Sequence, residues 1–381
     1  MSEAPRKRLI FEGWRFIPHS SALVLQSYCL EAVKRPGLEI KVRELPFNGP
    51  WSRIGGMFPE ALDRVLQGLP AAGEGEDADV VVRLGSPVDL APAAGASKTF
   101  VMAVHGAGST VNLPISSGVS LAETLASNPT TGLLTPSAFA RLGLLAQGIP
   151  SERIHVVPRG VETGFFRPPS ESERKNLRQR FGWTDEFIFL SVGAMTDNKG
   201  IDRLLQAFAM VVSQYPHARL VLKGVDSIFR SKDRVTGIMR GLTPETAAAV
   251  KARMTYIGGN YKLIDMTRLY QCADTLVAPY VSEAFCSPAL EAAACGLPSI
   301  CTQGGPTEEF TTDEFSLRIG ATWDADARTL EPDVNHLAQN MAFVMTNTAW
   351  PERAKVVAAD FASRRFTWGH ATDNLLRTIG F

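Results

Sequence analysis

Short β-rich runs alternate with helical patterns along almost the whole chain, and the alternation occurs twice. Strands that pair in parallel need a crossover between them, most simply a helix, so this pattern points to α/β units built on parallel sheets. The first set of strands reads RLIFEG (8–13), LEIKVREL (38–45), DVVVRLG (79–85), KTFVMAVH (98–105), GLLTP (132–136) and IHVVP (154–158), with helical segments at 20–34, 59–68 and 137–148. After the polar, proline-bearing stretch FFRPPSESERKN (165–176) a second set follows: FIFLSVG (187–193), RLVLKG (219–224), MTYIGG (254–259), TLVAP (275–279) and PSICT (298–302). Helices are expected between these over 200–214, 244–253, 263–273 and 287–295, and 351–381 is helical in pattern. A chain of 381 residues is long enough for two domains, and two doubly wound units joined near residue 170 are the expected architecture.

Composition removes several classes of function. Lys+Arg and Asp+Glu are both 39, so no overall charge draws the chain to nucleic acid or to an anionic membrane. With 45% hydrophobic residues, collagen-like, disordered and disulfide-scaffold readings are excluded. The apolar run of Leu9, Ile10 and Phe11 is cut by Glu12, so no signal-peptide core forms, and no stretch reaches membrane-spanning length. Five cysteines without a C-x-x-C pair read as reduced thiols. The expected location is cytoplasmic, either free or peripheral at the inner face of the membrane.

In open α/β sheets ligands bind at the carboxyl ends of strands, and phosphates favour helix N-termini. Two such points stand out. In SVGAMTDNKG (191–200) a strand ends at Gly193 and Lys199 stands at the start of an amphipathic helix, beside any bound phosphate. No G-x-x-x-x-G-K-[ST] surrounds it, and one such lysine alone is a common solvated charge. In VAPYVSEAFCSPALEAAACGLPSI (277–300) a loop carries Glu283, Ser287 and Pro288 read as N-cap and first-turn proline, and Glu291 is expected in the first turn. One carboxylate then precedes a helix start and another lies just inside it, where sugar hydroxyls and a diphosphate can be held together.

Glu283 and Glu291, followed by AAACGLPSICTQGGPTE, resemble the donor-binding signature of the retaining GT-B glycosyltransferases of family four, also called glycosyl transferases group 1. HVVPRGVETGFFRP (155–168), VGAMTDNKGIDRLLQAF (192–208) and YQCADTLVAPYVSEAF (270–285) fall in that family's order, so the resemblance covers roughly 150–310. It implies an α/β, GT-B fold: two Rossmann-like domains facing a cleft, with a C-terminal helix crossing back to the first. Domain bounds on this reading are 1–168, joined by about 367–381, for the acceptor domain and 169–366 for the donor domain. The implied donor-binding set is Gly193, Lys223, Gly259, Asn260, Phe285, Cys286, Ser287, Pro288 and Glu291, with Glu283, Lys199 and His105 as catalytic residues. Two positions depart from the family. Ala194 stands where an arginine usually follows the glycine, removing one diphosphate cation, and Lys223 is the nearest substitute by topology. Ala284 and Cys286 replace the glycines of Glu-Gly-Phe-Gly and narrow the space beside the sugar.

The first half offers acceptor-binding candidates in GWRFIPHS (13–20): Gly13 at a strand end, then Trp14, Arg15 and His19 for stacking and hydrogen bonding. His105 is expected at another strand end, where the family places a histidine near the donor hexose. HGAGSTV lacks the third glycine of a nicotinamide fingerprint. Asp324 and Asp326 form a D-A-D triplet like those that hold a divalent ion in metal-dependent sugar transferases, but a solvated loop is the expected role. No cofactor and no metal are expected. The function implied is transfer of a sugar, with retention, from a nucleotide diphosphate sugar to a hydroxyl of a sugar, glycan or lipid-linked acceptor. A nucleotide-sugar epimerase of GT-B fold and a catalytically silent nucleotide-sugar-binding protein are the alternatives, and no nucleic acid partner is expected.

Overall fold

The computed structural model describes residues 6–47, 53–104 and 120–381. They divide into one unit of Met1–Gly160 with Trp368–Phe381 and a second of Val161–Thr367. The first unit runs β1 (Lys7–Gly13), α1 (Ser20–Ala32), β2 (Leu38–Glu44), α2 (Glu60–Gln67), β3 (Ala78–Leu84), β4 (Ala96–Met102), α3 (Leu121–Ala126), β5 (Thr131–Thr135), α4 (Ala138–Leu145) and β6 (Ile154–Val156). All six strands pair in parallel in the order β2-β1-β3-β4-β5-β6. The inner strands are continuous apolar runs because helices cover both faces: Leu9, Ile10 and Phe11 of β1 and Val80, Val81 and Val82 of β3 are all buried. Glu12 of β1 and Arg83 of β3 are buried charged exceptions. The Glu12 carboxylate is held at 2.5 Å by Arg43 of β2 and at 2.5 Å by Arg83 of β3, its register partners on either side.

The second unit runs α5 (Glu171–Phe181), β7 (Phe187–Val192), α6 (Ile201–Gln214), β8 (Ala218–Lys223), α7 (Asp226–Phe229), α8 (Ser231–Arg240), α9 (Pro244–Arg253), β9 (Met254–Ile257), α10 (Leu263–Cys272), β10 (Thr275–Ala278), α11 (Ser287–Ala294), β11 (Ser299–Thr302), β12 (Ser316–Ile319), β13 (Ala321–Asp324), β14 (Thr329–Pro332), α12 (Val334–Thr346) and α13 (Ala349–Arg365). Its main sheet is also six-stranded and parallel, in the order β12-β11-β10-β7-β8-β9, and β13 and β14 form a separate antiparallel hairpin. The fold is therefore α/β with two doubly wound sheets, as the repeated alternation implies. Helix α6 shows how local pattern becomes packing. Ile201, Leu204, Leu205, Phe208, Val211 and Val212 recur at helical spacing, and all are buried in one cluster with β7 and β8. Each such side chain contributes about 1.5–3 kcal/mol of burial free energy.

Three segments differ from the sequence expectation. The polar stretch after Pro168 and Pro169 is not simply a connection: Ser170 and Glu173 form a reciprocal capping box that opens α5, whose Arg174 and Arg178 both bind Asp274 ahead of β10. Residues 303–350, where the sequence pattern assigned no element, carry β12, the hairpin and α12. The helical tail is two helices, because the backbone turns at Phe366, whose carbonyl accepts from the Val161 amide at 2.8 Å. The last, α14 (Trp368–Ile379), packs on α1 within the first unit, with Tyr28 and Trp368 edge to face at 5.2 Å and Arg35 paired to Asp373 at 2.8 Å.

Candidate functional site

The order of the second sheet sets where a ligand can bind. From β7 the chain builds outward to β8 and β9 on one side and to β10, β11 and β12 on the other, so the loops after β7 and β10 diverge at a switch point and leave a crevice at the strand ends. Lys199 lies on the first loop and Glu283 on the second, and their side chains form an ion pair. Asn198 fastens the two loops: its carbonyl accepts from the Val281 amide at 2.9 Å, and its Nδ2 donates to the Ser282 carbonyl at 2.9 Å. Two glycines make room. A Cβ on Gly193 would lie 3.3 Å from Lys199 Cε, so the lysine stem runs directly over that strand end. Gly200 has φ +63° and would place a Cβ 1.9 Å from the Pro279 carbonyl oxygen. Only glycine fits there. Asn198 carried no signal in the sequence beyond its polarity, and it was not among the expected site residues.

The second carboxylate is held differently. Cys286, not Ser287, caps α11: it is buried and adopts the left-handed region at φ 66°, ψ 60° with no side-chain cap, and Ser287 is the first helical residue. The expected N-cap, Ser287, is already helical and so lacks the extended backbone of a capping serine. Pro288 has no N–H to give a ligand. Glu291, fifth in the helix, stands in its second turn rather than its first. Its Oε2 accepts a 2.6 Å hydrogen bond from the hydroxyl of Tyr270 on α10. Burial and the neighbouring Glu291 push the Tyr270 phenol well above its ordinary pKa, so it stays a donor. Burial, with Glu283 second, does the same to the Cys286 thiol. All five cysteines are free and buried.

Lys223, the expected substitute for the missing arginine, turns its ammonium to the backbone. Nζ donates at 2.5 Å to the carbonyl of Gly224 and at 2.8 Å to that of Gly259, and lies 5.0 Å from the centre of the Tyr261 ring. Burial lowers its pKa to about 8, partly offset by Asp226. Gly259 is thus engaged through its carbonyl, and Asn260 Oδ1 accepts from Ser227 at 2.8 Å. The Ala194 carbonyl accepts from the buried Ser231 hydroxyl at 2.7 Å, fixing the loop where the family usually has arginine. The Phe285 ring is buried and stacked on Phe310 at 4.5 Å, so what this residue can offer a ligand is its backbone.

In the first unit, the candidates after β1 have internal partners. A Cβ on Gly13 would meet the Leu84 carbonyl oxygen at 2.5 Å, which accounts for the glycine by packing alone. Trp14 is buried edge-on to Phe47 and His19 and donates to the Pro46 carbonyl at 3.1 Å. Its ring is enclosed rather than presented for stacking. Arg15 binds Glu44 and the Leu66 carbonyl. His19 caps α1, its Nδ1 accepting from the Ser21 amide at 3.1 Å, and burial with the Arg159 guanidinium lowers its pKa to about 4. Strand β4 ends at Met102, and His105 lies outside the described residues. Asp324 ends β13, and its Oδ1 accepts from the amides of Asp326 and Ala327 at 2.9 Å each, the bonding of a hairpin turn. Among the described residues no cluster of three metal-ligating side chains occurs, and no helix is long and apolar enough to cross a membrane.

Residues 173–355 match the model of the family described as glycosyl transferases group 1. The mannosylfructose-phosphate synthase of Agrobacterium fabrum is 30% identical over 159 residues, 42% of this chain and 34% of that protein. A D-inositol 3-phosphate glycosyltransferase of Segniliparus rotundus is 28% identical over 234 residues, 59% of this chain and 46% of that one. The matches thus span about a third to a half of those relatives' lengths. The solved structure of Anabaena HepE with UDP and glucose superposes with a TM-score of 0.72 over 98% of this chain and 99% of its own, at 15% identity, which establishes a shared GT-B fold.

Proposed function

The chain belongs, through residues 173–355, to the glycosyl transferases group 1, and on that premise we propose that it transfers a sugar from a nucleotide diphosphate sugar to an acceptor hydroxyl with retention of anomeric configuration. The observation that carries this reading is the Lys199–Glu283 pair at the sheet's switch point. An arriving diphosphate outbids one carboxylate for the ammonium. Lys199 then faces the phosphates, and Glu283 is released to accept hydrogen bonds from the hexose. Glu291, in the same motif, accepts from the ribose hydroxyls.

Breaking the anomeric bond puts negative charge on the leaving diphosphate and oxocarbenium character on the sugar. Stabilising the leaving group is the main catalytic task, and a cation already in place does so without reorganisation. Retention follows if the acceptor attacks from the leaving-group face and the departing phosphate oxygen takes its proton. No separate base is required. Lys199 and backbone N–H groups meet the phosphate charge, so no metal enters the proposed reaction. The acceptor, a sugar, glycan or lipid-linked alcohol, is assigned to the first unit.

Ala194, in place of the usual arginine, favours a second reading as a silent nucleotide-sugar binder. A nucleotide-release assay over a panel of UDP- and GDP-sugars, with and without acceptor alcohols, separates the two. The proposed activity predicts release that acceptor accelerates and that Lys199→Ala slows on the order of a hundredfold. Tight donor binding with no release under any acceptor identifies the silent binder, and product isomerised without acceptor identifies an epimerase.

A further inference from the structure

We propose that Tyr270 is a positioning residue for the nucleotide: through its hydrogen bond to Glu291 it sets the orientation in which that carboxylate receives the ribose. This inference rests on the donor-binding reading of Glu291. Tyr270 sits in the last turn of α10, is 1% exposed, and crosses to the neighbouring helix to place its hydroxyl 2.6 Å from Glu291 Oε2. Its ring is itself held, edge to face with Phe166 at 6.0 Å. A glutamate side chain has three rotatable bonds, and a site built on it is only as well defined as what fixes them. Here one carboxylate oxygen is fixed by a donor that cannot move.

The chemistry also suits the task. Burial keeps the phenol protonated, so it can only donate to the anion, never compete with it for a proton. A phenol leaves the carboxylate's full negative charge in place, whereas an arginine there would cancel it. Ribose hydroxyls donate hydrogen bonds, so they need that charge.

The ring alone would fill the same space, so a merely structural tyrosine is replaceable by phenylalanine without a change in nucleotide affinity. The test therefore measures binding of UDP and of GDP by calorimetry to the wild type, Tyr270→Phe, Glu291→Gln and the double variant, with steady-state kinetics on the matching donor. Thermal melts identify folded proteins, and Tyr270→Met, which also deletes the hydroxyl, stands in if the phenylalanine variant does not fold. The expected result for Tyr270→Phe is a nucleotide Kd and donor KM raised on the order of threefold to thirtyfold with kcat within about twofold, because ribose contacts are alike in ground and transition states. In the Glu291→Gln background the same change should have no further effect on Kd. Unaltered nucleotide affinity in Tyr270→Phe while Glu291→Gln loses it, or a full effect persisting without the carboxylate, overturns the positioning role. If Glu291→Gln itself binds nucleotide as the wild type does, it is the donor-site reading that fails, and the two failures are told apart.

Discussion

Lys199 and Glu283 come from loops after non-neighbouring stretches of sequence, yet they form one ion pair, with the lysine stem lying over Gly193. Their side chains are 23% and 13% exposed, so the pair is screened only partly by solvent. Two groups expected to hold opposite ends of a sugar diphosphate hold each other. The pair keeps both side chains ordered and must be exchanged for ligand contacts on binding.

The loop geometry behind the pair depends on Gly200. Gly200→Ala would drive a Cβ into the Pro279 carbonyl and force a positive φ on alanine, so a loss of about 3 kcal/mol or more is expected. Gly182, with φ +71° and nothing within 4 Å, is the control. Gly182→Ala should cost only about 1 kcal/mol of backbone strain. Denaturant unfolding of both variants checks this, and equal losses would contradict it.

His19 should make the first unit acid-sensitive. Its pKa falls from 6.5 to about 4 on folding, so between those values the unfolded chain binds the proton and the folded one does not. Stability is then complete above pH 6.5 and is lost as pH falls toward 4. His19→Asn keeps a helix-capping side chain but cannot titrate. Across that window the variant should lose less stability than the wild type, by up to about 3 kcal/mol, read by urea melts at stepped pH.

Lys223 is tied to the carbonyls of Gly224 and Gly259 rather than left at a strand end, so its loss should act through the loop that carries Gly259 and Asn260. Lys223→Met is expected to weaken nucleotide severalfold and spare kcat, whereas Lys199→Ala should reduce kcat by on the order of a hundredfold. A kcat collapse in Lys223→Met, with Kd unchanged, would instead make it a phosphate cation.

Turnover should survive EDTA, since the proposed charge on the leaving group is met by Lys199 and backbone donors. Asp324 serves its own turn, so Asp326→Ala should be silent. Activity abolished by EDTA and restored by manganese or magnesium would reopen a metal role.

How much of this was legible in the sequence depended on whether the signal was local. Strands such as 187–193 and 219–224 were placed to within a residue or two, because a buried parallel strand is a plain apolar run. The strand-end rule singled out the two loops that carry Lys199 and Glu283, but not that their side chains pair. Helix α5 was hidden by Pro168 and Pro169, although Ser170 and Glu173 three residues on were its capping signature. The capping of α11 was misread because a left-handed cysteine is rare, and no pattern announces it. Tyr270 lay within a motif whose order was recognised, but order along the chain does not say which side chain crosses from one helix to the next. Likewise Trp14 and Arg15 looked available because residue type suggests chemistry, and only packing shows that Phe47, Glu44 and Leu66 already use them.

The central claim is that one motif holds two parts of one donor, and the most direct measurement is a paired comparison of Glu283→Gln and Glu291→Gln for free nucleotide diphosphate affinity and for kcat. Glu283→Gln removes the partner of Lys199 without touching the ribose end. It should therefore bind free nucleotide as tightly as the wild type or more so, while kcat falls on the order of tenfold to a hundredfold, the worth of a charge-assisted hydrogen bond at the reacting sugar. Glu291→Gln should lose nucleotide affinity by a similar factor and keep kcat nearly intact. Opposite responses of this kind would establish the division of labour; equal losses of nucleotide affinity in both variants, or no change in either, would contradict it.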